Sequence, residues 1–333
     1  MFTPNGNEIA FDLENAELGC GLNGAVYFVS VDEDGAKSRY PSNKAGAKYG
    51  TGYCDSQCAR DLKWIGGKAN AEGWQPSKTD KSSGIGNKGA CCAEMDLWEA
   101  NSMSSALIPH PCQKDGYFVC KTSDCGGTYS DNRPSGSCDP DGCDLNPFHH
   151  GDANFYGKGE TIDTSKSSLV YFIQNVKEIE LPKSKYVSGG STIDVGFCDA
   201  AKDVFKGNKR FQEMGGLTAM GKAPGKPMVL VMSVWDEAYA NMLWLDGQRY
   251  PLGCDPSEPG VPRGECDVDG SKPEKVREKF KNAKVTYSNF KFGPIEIDLQ
   301  HLRGTRSLLP RGGHRDLDTK GNRSLKTPGH FTQ

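Results

Sequence analysis

Thirteen cysteines constrain this chain more than any other feature: Cys20, Cys54, Cys58, Cys91, Cys92, Cys112, Cys120, Cys125, Cys138, Cys143, Cys198, Cys254 and Cys266. Cys54/Cys58 and Cys91/Cys92 suggest halves of a metal site, but no histidine falls at matching spacing. A disulfide framework fits the scatter better, and disulfides persist in oxidising compartments, so an extracellular protein is expected. Adjacent residues of an extended chain point to opposite faces, so Cys91 and Cys92 are expected to take different partners. The odd total leaves one cysteine over. The opening "MFTPNGNEIA" has neither the basic start nor the apolar segment of a secretory leader. A processed chain, or one whose true start lies upstream, is the corresponding expectation.

The alternation of apolar and polar residues predicts strands at 24–32, 166–176, 227–236, 238–246 and 283–293, the third and fourth forming an antiparallel pair. The stretch 199–214 is the best helical candidate. Between these lie long Gly/Asp/Ser/Pro stretches at 33–53, 74–90 and 113–160, and loops of that length are usually functional or pinned by disulfides. One all-β sandwich with elaborate loops is expected over 1–296, although 333 residues is long for one core. Residues 297–333 are basic and aperiodic and read as a disordered tail, with a weak glycosylation sequon at Asn322-Arg323-Ser324. Lys+Arg number 40 against 43 Asp+Glu, so no basic field draws in nucleic acid or an anionic membrane. No apolar run is long enough to span a bilayer.

The stretch "CCAEMDLWEA" crowds Glu94, Asp96 and Glu99 around Trp98. On a regular strand Glu94, Asp96 and Trp98 share one face and Glu99 points away. Glu94 and Glu99 then stand about 16 Å apart at 3.3 Å per residue, whereas a retaining glycosidase holds its two carboxyls about 5–5.5 Å apart. Only a bend or bulge between Asp96 and Glu99 brings them together. A helix through these good helix formers, or a solvated acidic surface, are the competing readings. The five tryptophans, Trp64, Trp74, Trp98, Trp235 and Trp244, lie near acids and turns, with core packing as the bland reading of each. Acids, indoles and polar loops together suggest a carbohydrate groove.

At this point the chain resembles glycoside hydrolase family 7, the fungal-type cellulases. The resemblance rests on "CCAEMDLWEANS" followed by "PHPC", and runs through "CGLNGAVYFV", "AGAKYGTGYCDSQCARDLKWI", "GGTYSDNR", "CDPDGCDLNP", "MVLVMSVWDEAYANMLWLD" and "NAKVTYSNFKFGPI". It covers residues 8–295 and implies a concanavalin-like β-jelly roll whose disulfide-pinned loops form a cellulose cleft or tunnel. It implies Glu94 as nucleophile, Glu99 as general acid/base, Asp96 as the partner that tunes Glu94, and His110 lining the catalytic centre. Asn23, Tyr27, Tyr53, Asp55, Gln57 and Lys63 match substrate-side positions. Arg133, Asp141, Asp144 and Arg263 match the product side, and Trp235 and Trp244 match stacking platforms.

The resemblance also implies the pairs Cys20–Cys266, Cys54–Cys92, Cys58–Cys91, Cys112–Cys138, Cys120–Cys125 and Cys143–Cys198, leaving Cys254. The implied activity is retaining hydrolysis of β-1,4-glucosidic bonds, with processive release of cellobiose from the reducing end by a monomer that needs no metal or other cofactor. Endoglucanase action, or a non-catalytic glucan-binding jelly roll, are the alternatives. The chain departs from the pattern in beginning well inside the family domain, which implies a fragment with Met1 an internal methionine. It departs again after Ile295, and at Leu145 and His149, which stand where the family usually has Trp and Arg.

Overall fold

The computed structural model describes residues 1–78, 82–166, 180–188 and 191–294, together with the backbone of three two-residue strands between 167 and 179. Two antiparallel sheets form a β-jelly-roll sandwich. The inner sheet has the order Val229–Asp236, Leu22–Val29, Glu94–Ala100, Ser105–His110. The outer sheet runs Lys177–Glu178, Ile173–Gln174, Ser168–Leu169, Asn7–Glu14, Thr286–Pro294. Phe11 and Leu13 of the outer sheet meet Val26, Trp98 and Ala100 of the inner sheet to make the core between them.

Every residue of Leu22–Val29 is buried, so this strand is covered on both faces. Its second face, Ala25, Tyr27 and Val29, packs with Val231 and with Ile65 and Tyr117 from the long loops. The loops therefore lie over the inner sheet and turn its free face into a cleft. The 33–53 loop folds back on itself at Gly35 and Gly52. A Cβ on Gly35 would come 2.4 Å from the Gly46 carbonyl oxygen, and one on Gly52 2.4 Å from that of Gly35. Both have positive φ, 63° and 89°, which glycine adopts without steric cost.

All six expected disulfides are present, and Cys254 is free and half-buried. Cys54–Cys92 and Cys58–Cys91 lie immediately before the acidic strand and take opposite directions from the Cys91–Cys92 pair, as alternation requires.

Two local expectations differ from the structure. Residues 238–246 form a turn and a short helix, Leu243–Asp246, not a strand paired with 227–236. The Glu237 carboxylate accepts from the backbone N–H of Ala240 at 2.8 Å and of Met242 at 3.3 Å, which bends the chain away from the sheet. Met242 and Leu245, three apart, then bury against Ala106 and Ile108, so the apolar spacing is helical. The helix expected over 199–214 begins earlier, at Val195, where the Asp194 side chain accepts from the Phe197 N–H at 2.7 Å, and ends at Val204. Lys206, at φ 54°, breaks it from a separate turn at Arg210–Glu213. The strand expected at 166–176 falls largely outside the described residues, as do the 297–333 tail and the sequon. Among the described residues no helix is long and apolar enough to cross a membrane.

Candidate active site

The acidic stretch is a strand, Glu94–Ala100, and it carries the break that the sequence reading demanded. Its register against Ser105–His110 shifts between Asp96 and Glu99. Against Leu22–Val29, Asp96 faces Tyr27 while Trp98 faces Val26, so Leu97 is the extra, unpaired residue. One inserted residue flips every later side chain to the other face. Glu99 joins Glu94 and Asp96 on the cleft side. Trp98 goes the opposite way, to 3% exposure in the core beside Tyr156, with ring centroids 5.7 Å apart. The expectation that Trp98 shares the face of Glu94 and Asp96 is corrected accordingly.

The three acids are buried and have different partners. Glu94 Oε2 accepts from the Ser56 backbone N–H at 3.0 Å and from its hydroxyl at 2.7 Å. Asp96 Oδ2 lies 3.1 Å from His110 Nε2, and a hydrogen bond joins Asp96 to Glu94. Glu99 Oε1 accepts from Asn23 Nδ2 at 2.9 Å. Burial, then the charges of Glu94 and Asp55, push Asp96 well above the usual carboxylate range. Burial also raises Glu99 well above it, helped by Asp96 and Glu94 and opposed by His110 and Asn23. Asp55 is raised by burial and by Glu94. The Tyr27 and Tyr53 hydroxyls meet at 2.9 Å and stay protonated because burial raises both.

These groups open into a cleft of about 1700 Å³. All the expected site residues line it except Asn23. Asn23 is 0% exposed and spans from Glu99 to the Ala100 N–H, which its Oδ1 accepts at 3.0 Å. Its side chain therefore lies against the Glu99 carboxyl and not on the cleft surface, unlike the other residues expected to meet substrate. Lys63 is exposed at the rim, and Trp235 and Trp244 stand 6.4 Å apart with planes tilted 31°. On another wall Arg133 Nε donates to Asp141 Oδ1 at 2.7 Å, and its other nitrogens reach Gln57 Oε1 at 3.0 Å and the Pro140 carbonyl at 2.8 Å. Despite burial, Arg133 keeps Asp141 below its ordinary pKa.

Asp144 Oδ2 is held by His149 Nδ1 at 2.6 Å and Arg263 NH1 at 3.3 Å, which outweigh burial and hold its carboxyl well below the usual range. Burial and Arg263 lower His149 to about 4. Asp144, His149 and His150 bring their ligand atoms within 4.8 Å, a cluster that the spacing of the histidines did not suggest. Arg263 NH1 lies 3.2 Å from His149 Nδ1, so a guanidinium already supplies positive charge there.

Sequence reasoning passed over Ser56, although it sits in "CDSQC" between two paired cysteines. It also passed over Tyr129 and Tyr239, whose rings meet at 5.2 Å and 90° along the cleft. No local signal marks that pair, because the two residues come from distant loops.

The description of glycosyl hydrolase family 7 matches residues 1–171 and 166–298. A cellobiohydrolase from Melanocarpus albomyces, solved with cellotetraose, is similar at 48% identity and TM-score 0.83, over 87% of this chain and 70% of that one. A family 7 cellobiohydrolase from Daphnia pulex is similar at 41% identity and TM-score 0.85, over 89% of this chain and 72% of that one. The Humicola insolens endocellulase EGI is similar at 32% identity and TM-score 0.69, over 87% of this chain and 68% of that one.

Proposed function

The chain belongs to glycosyl hydrolase family 7, and on that footing we propose that it hydrolyses the β-1,4-glucosidic bonds of cellulose with retention, releasing cellobiose processively from the reducing end. The observation that carries the reaction is the bulge that aims Glu94 and Glu99 into one cleft while leaving them in different surroundings. Glu94, braced by two hydrogen bonds from Ser56, is the nucleophile. It bonds to the anomeric carbon as the glycosidic C–O bond breaks. Glu99, whose raised pKa keeps it protonated, gives its proton to the departing oxygen. Water then attacks the glycosyl–Glu94 ester, Glu99 takes the water's proton, and Glu94 leaves as carboxylate. Asp96 shares a hydrogen bond with Glu94 and keeps it aimed. This chemistry calls for no cofactor.

The processive part rests on the Tyr129–Tyr239 contact. Tyr239 follows one edge strand of the inner sheet, Val229–Asp236, and Tyr129 lies beyond the other, Ser105–His110. Their meeting supports a roof over a threaded chain, which then cannot leave sideways between cuts. Trp235 and Trp244 would carry sugar rings, and Arg133, Asp141, Asp144 and Arg263 the released disaccharide. The protein would act outside the cell as a monomer. Endo-cleavage is the second reading, favoured by the likeness to the Humicola insolens endocellulase.

Chromatography of the sugars released from amorphous cellulose tests the proposal, with proton NMR of the first-formed anomer. Cellobiose as the main product in the β-configuration is expected. Inversion overturns the assigned roles of the two acids, and a broad ladder of oligosaccharides with rapid loss of viscosity overturns the processive mode.

A further inference from the structure

The segment after Cys138 runs back along the strand Ser105–His110 but leaves it opposite His110. Before the gap, a disulfide joins Cys112 to Cys138, and the Asp139 N–H donates to the Pro111 carbonyl at 2.9 Å. After it, the Cys143 N–H donates to the Pro109 carbonyl at 3.3 Å, and Leu145 bridges to Leu107. Pro140, Asp141 and Gly142 form the excursion between.

This excursion closes on the imidazole from two directions. The Asp139 carbonyl oxygen accepts from His110 Nδ1 at 2.9 Å. Gly142, at φ 62°, lies so close that a Cβ would come 2.3 Å from Ile108 Cγ2 and 2.9 Å from His110 Cε1. The ring is buried, and its other nitrogen, Nε2, faces Asp96 Oδ2.

The Asp139 side chain has no such evident task. It is 0% exposed, and its Oδ1 accepts from the Asp141 N–H at 3.2 Å, which closes the turn. An asparagine closes such a turn equally well. Its Oδ2 is buried with no hydrogen-bond partner among the described residues. A buried carboxyl oxygen left unpaired is costly, so the turn alone does not account for an acid here. The charges facing Asp139 are Lys202 of the helix Val195–Val204, His110 and Asp141. Those facing His110 are Asp139 and, from the strand Glu94–Ala100, Asp96 and Glu99.

We propose that Asp139 is a positioning residue for the hydrolysis: its carbonyl holds the His110 ring on Asp96, and its carboxylate helps the His110–Asp96 pair to keep the proton that Asp96 shares with Glu94. A negative charge beside an imidazole favours its protonated form. Without that charge the pair gives up its proton at lower pH. Asp96 and Glu94 then stand as two adjacent anions, which repel and lose the hydrogen bond between them. This inference rests on the proposed role of Glu94 for its kinetic measurement but not for its spectroscopic one.

The test compares the full chain with Asp139→Asn and Asp139→Ala. Asp139→Asn keeps the turn and the backbone carbonyl and removes the charge. On a soluble chromogenic cello-oligosaccharide it should lower kcat roughly tenfold, short of the loss of a reacting group, at unchanged KM and Tm. The basic limb of its pH–rate profile should move to lower pH. In NMR titrations the His110 ring signals, assigned by their loss in His110→Gln, should move to lower pH as well. Asp139→Ala should show the same two movements with a lower Tm, so one folded variant suffices. Limb and ring titration unchanged in a folded variant overturn the proposal, because Asp139 then only closes a turn. A rise in KM in step with the fall in kcat also overturns it, since the excursion would then act through Asp141 on the cleft wall. A wild-type chain that cuts no cello-oligosaccharide overturns the hydrolase reading alone, and the ring titration still decides the part played by Asp139.

Discussion

His110 presents Nε2 to Asp96 Oδ2 at 3.1 Å while its Nδ1 lies 2.9 Å from the Asp139 carbonyl oxygen. A carbonyl only accepts, so Nδ1 carries a hydrogen there, and the contact on the other side needs a proton between imidazole and carboxyl. Asp96, raised by burial and by Glu94 and Asp55, is a natural holder of that proton. His110, Asp96 and Glu94 thus form a coupled chain leading to the proposed nucleophile.

Asp96→Asn removes one titrating carboxyl from this chain. Because Asp96 itself titrates above the usual range and its charge raises Glu99, the basic limb of the pH–rate profile should become less steep and move to lower pH. The rate should fall roughly a hundredfold, the scale of a misplaced reacting group. A profile of kcat/KM on a soluble cello-oligosaccharide checks both, and an unchanged limb would show that Asp96 does not titrate with the site.

Glu99 must be protonated to act as the acid, so activity should fall as pH rises through its raised pKa, above the ordinary carboxylate range. Glu99→Gln should lower kcat on cellulose by about 10²–10⁴. Asn23→Ala removes a hydrogen bond that favours ionised Glu99, so the basic limb should move to higher pH. A move to lower pH would contradict the assignment.

Tyr129→Ala should break the contact with Tyr239 and open the roof. The ratio of soluble to insoluble reducing ends released from cellulose should drop, while turnover of a short soluble substrate stays within about twofold, as expected for a site whose reacting groups are untouched. An unchanged ratio would mean that the roof does not retain the chain.

Asp246 is fully buried, accepts from the Gly21 N–H at 2.9 Å and from Asn101 Nδ2 at 2.6 Å, and is raised by burial from 3.8 to about 7. An acid raised in the folded state lends its stability fully below the unfolded pKa. That contribution is lost as pH climbs from 3.8 to about 7. Asp246→Asn should flatten the dependence of Tm on pH across that window and stabilise the protein at its upper end. Calorimetry on both proteins decides it, and parallel curves would sink the assignment.

The disulfide pairs and the jelly roll were legible only through the family that motifs such as "CCAEMDLWEANS" resemble, whereas the crowding of Glu94, Asp96 and Glu99 was legible directly, as residue types in one contiguous stretch. The break between Asp96 and Glu99 was legible only as a demand, that two carboxyls on one strand must face one substrate. Whether Leu97 would be extruded to meet it depends on how Glu94–Ala100 registers against two strands distant in sequence. That register also decided that Trp98 belongs to the core. Asn23 matched a substrate position in sequence, yet its side chain lies behind Glu99, because Leu22–Val29 is buried on both faces. At 238–246 the apolar alternation was real, but Glu237 captured the backbone N–H groups and Met242 and Leu245 found a helical burial site. The sequence by itself determined which groups are present and that the cysteines form a disulfide framework with one left over. Tertiary structure alone decided which way each side chain faces, how far its pKa moves and where the loops of Tyr129 and Tyr239 meet, because those follow from contacts between segments that no local pattern encodes.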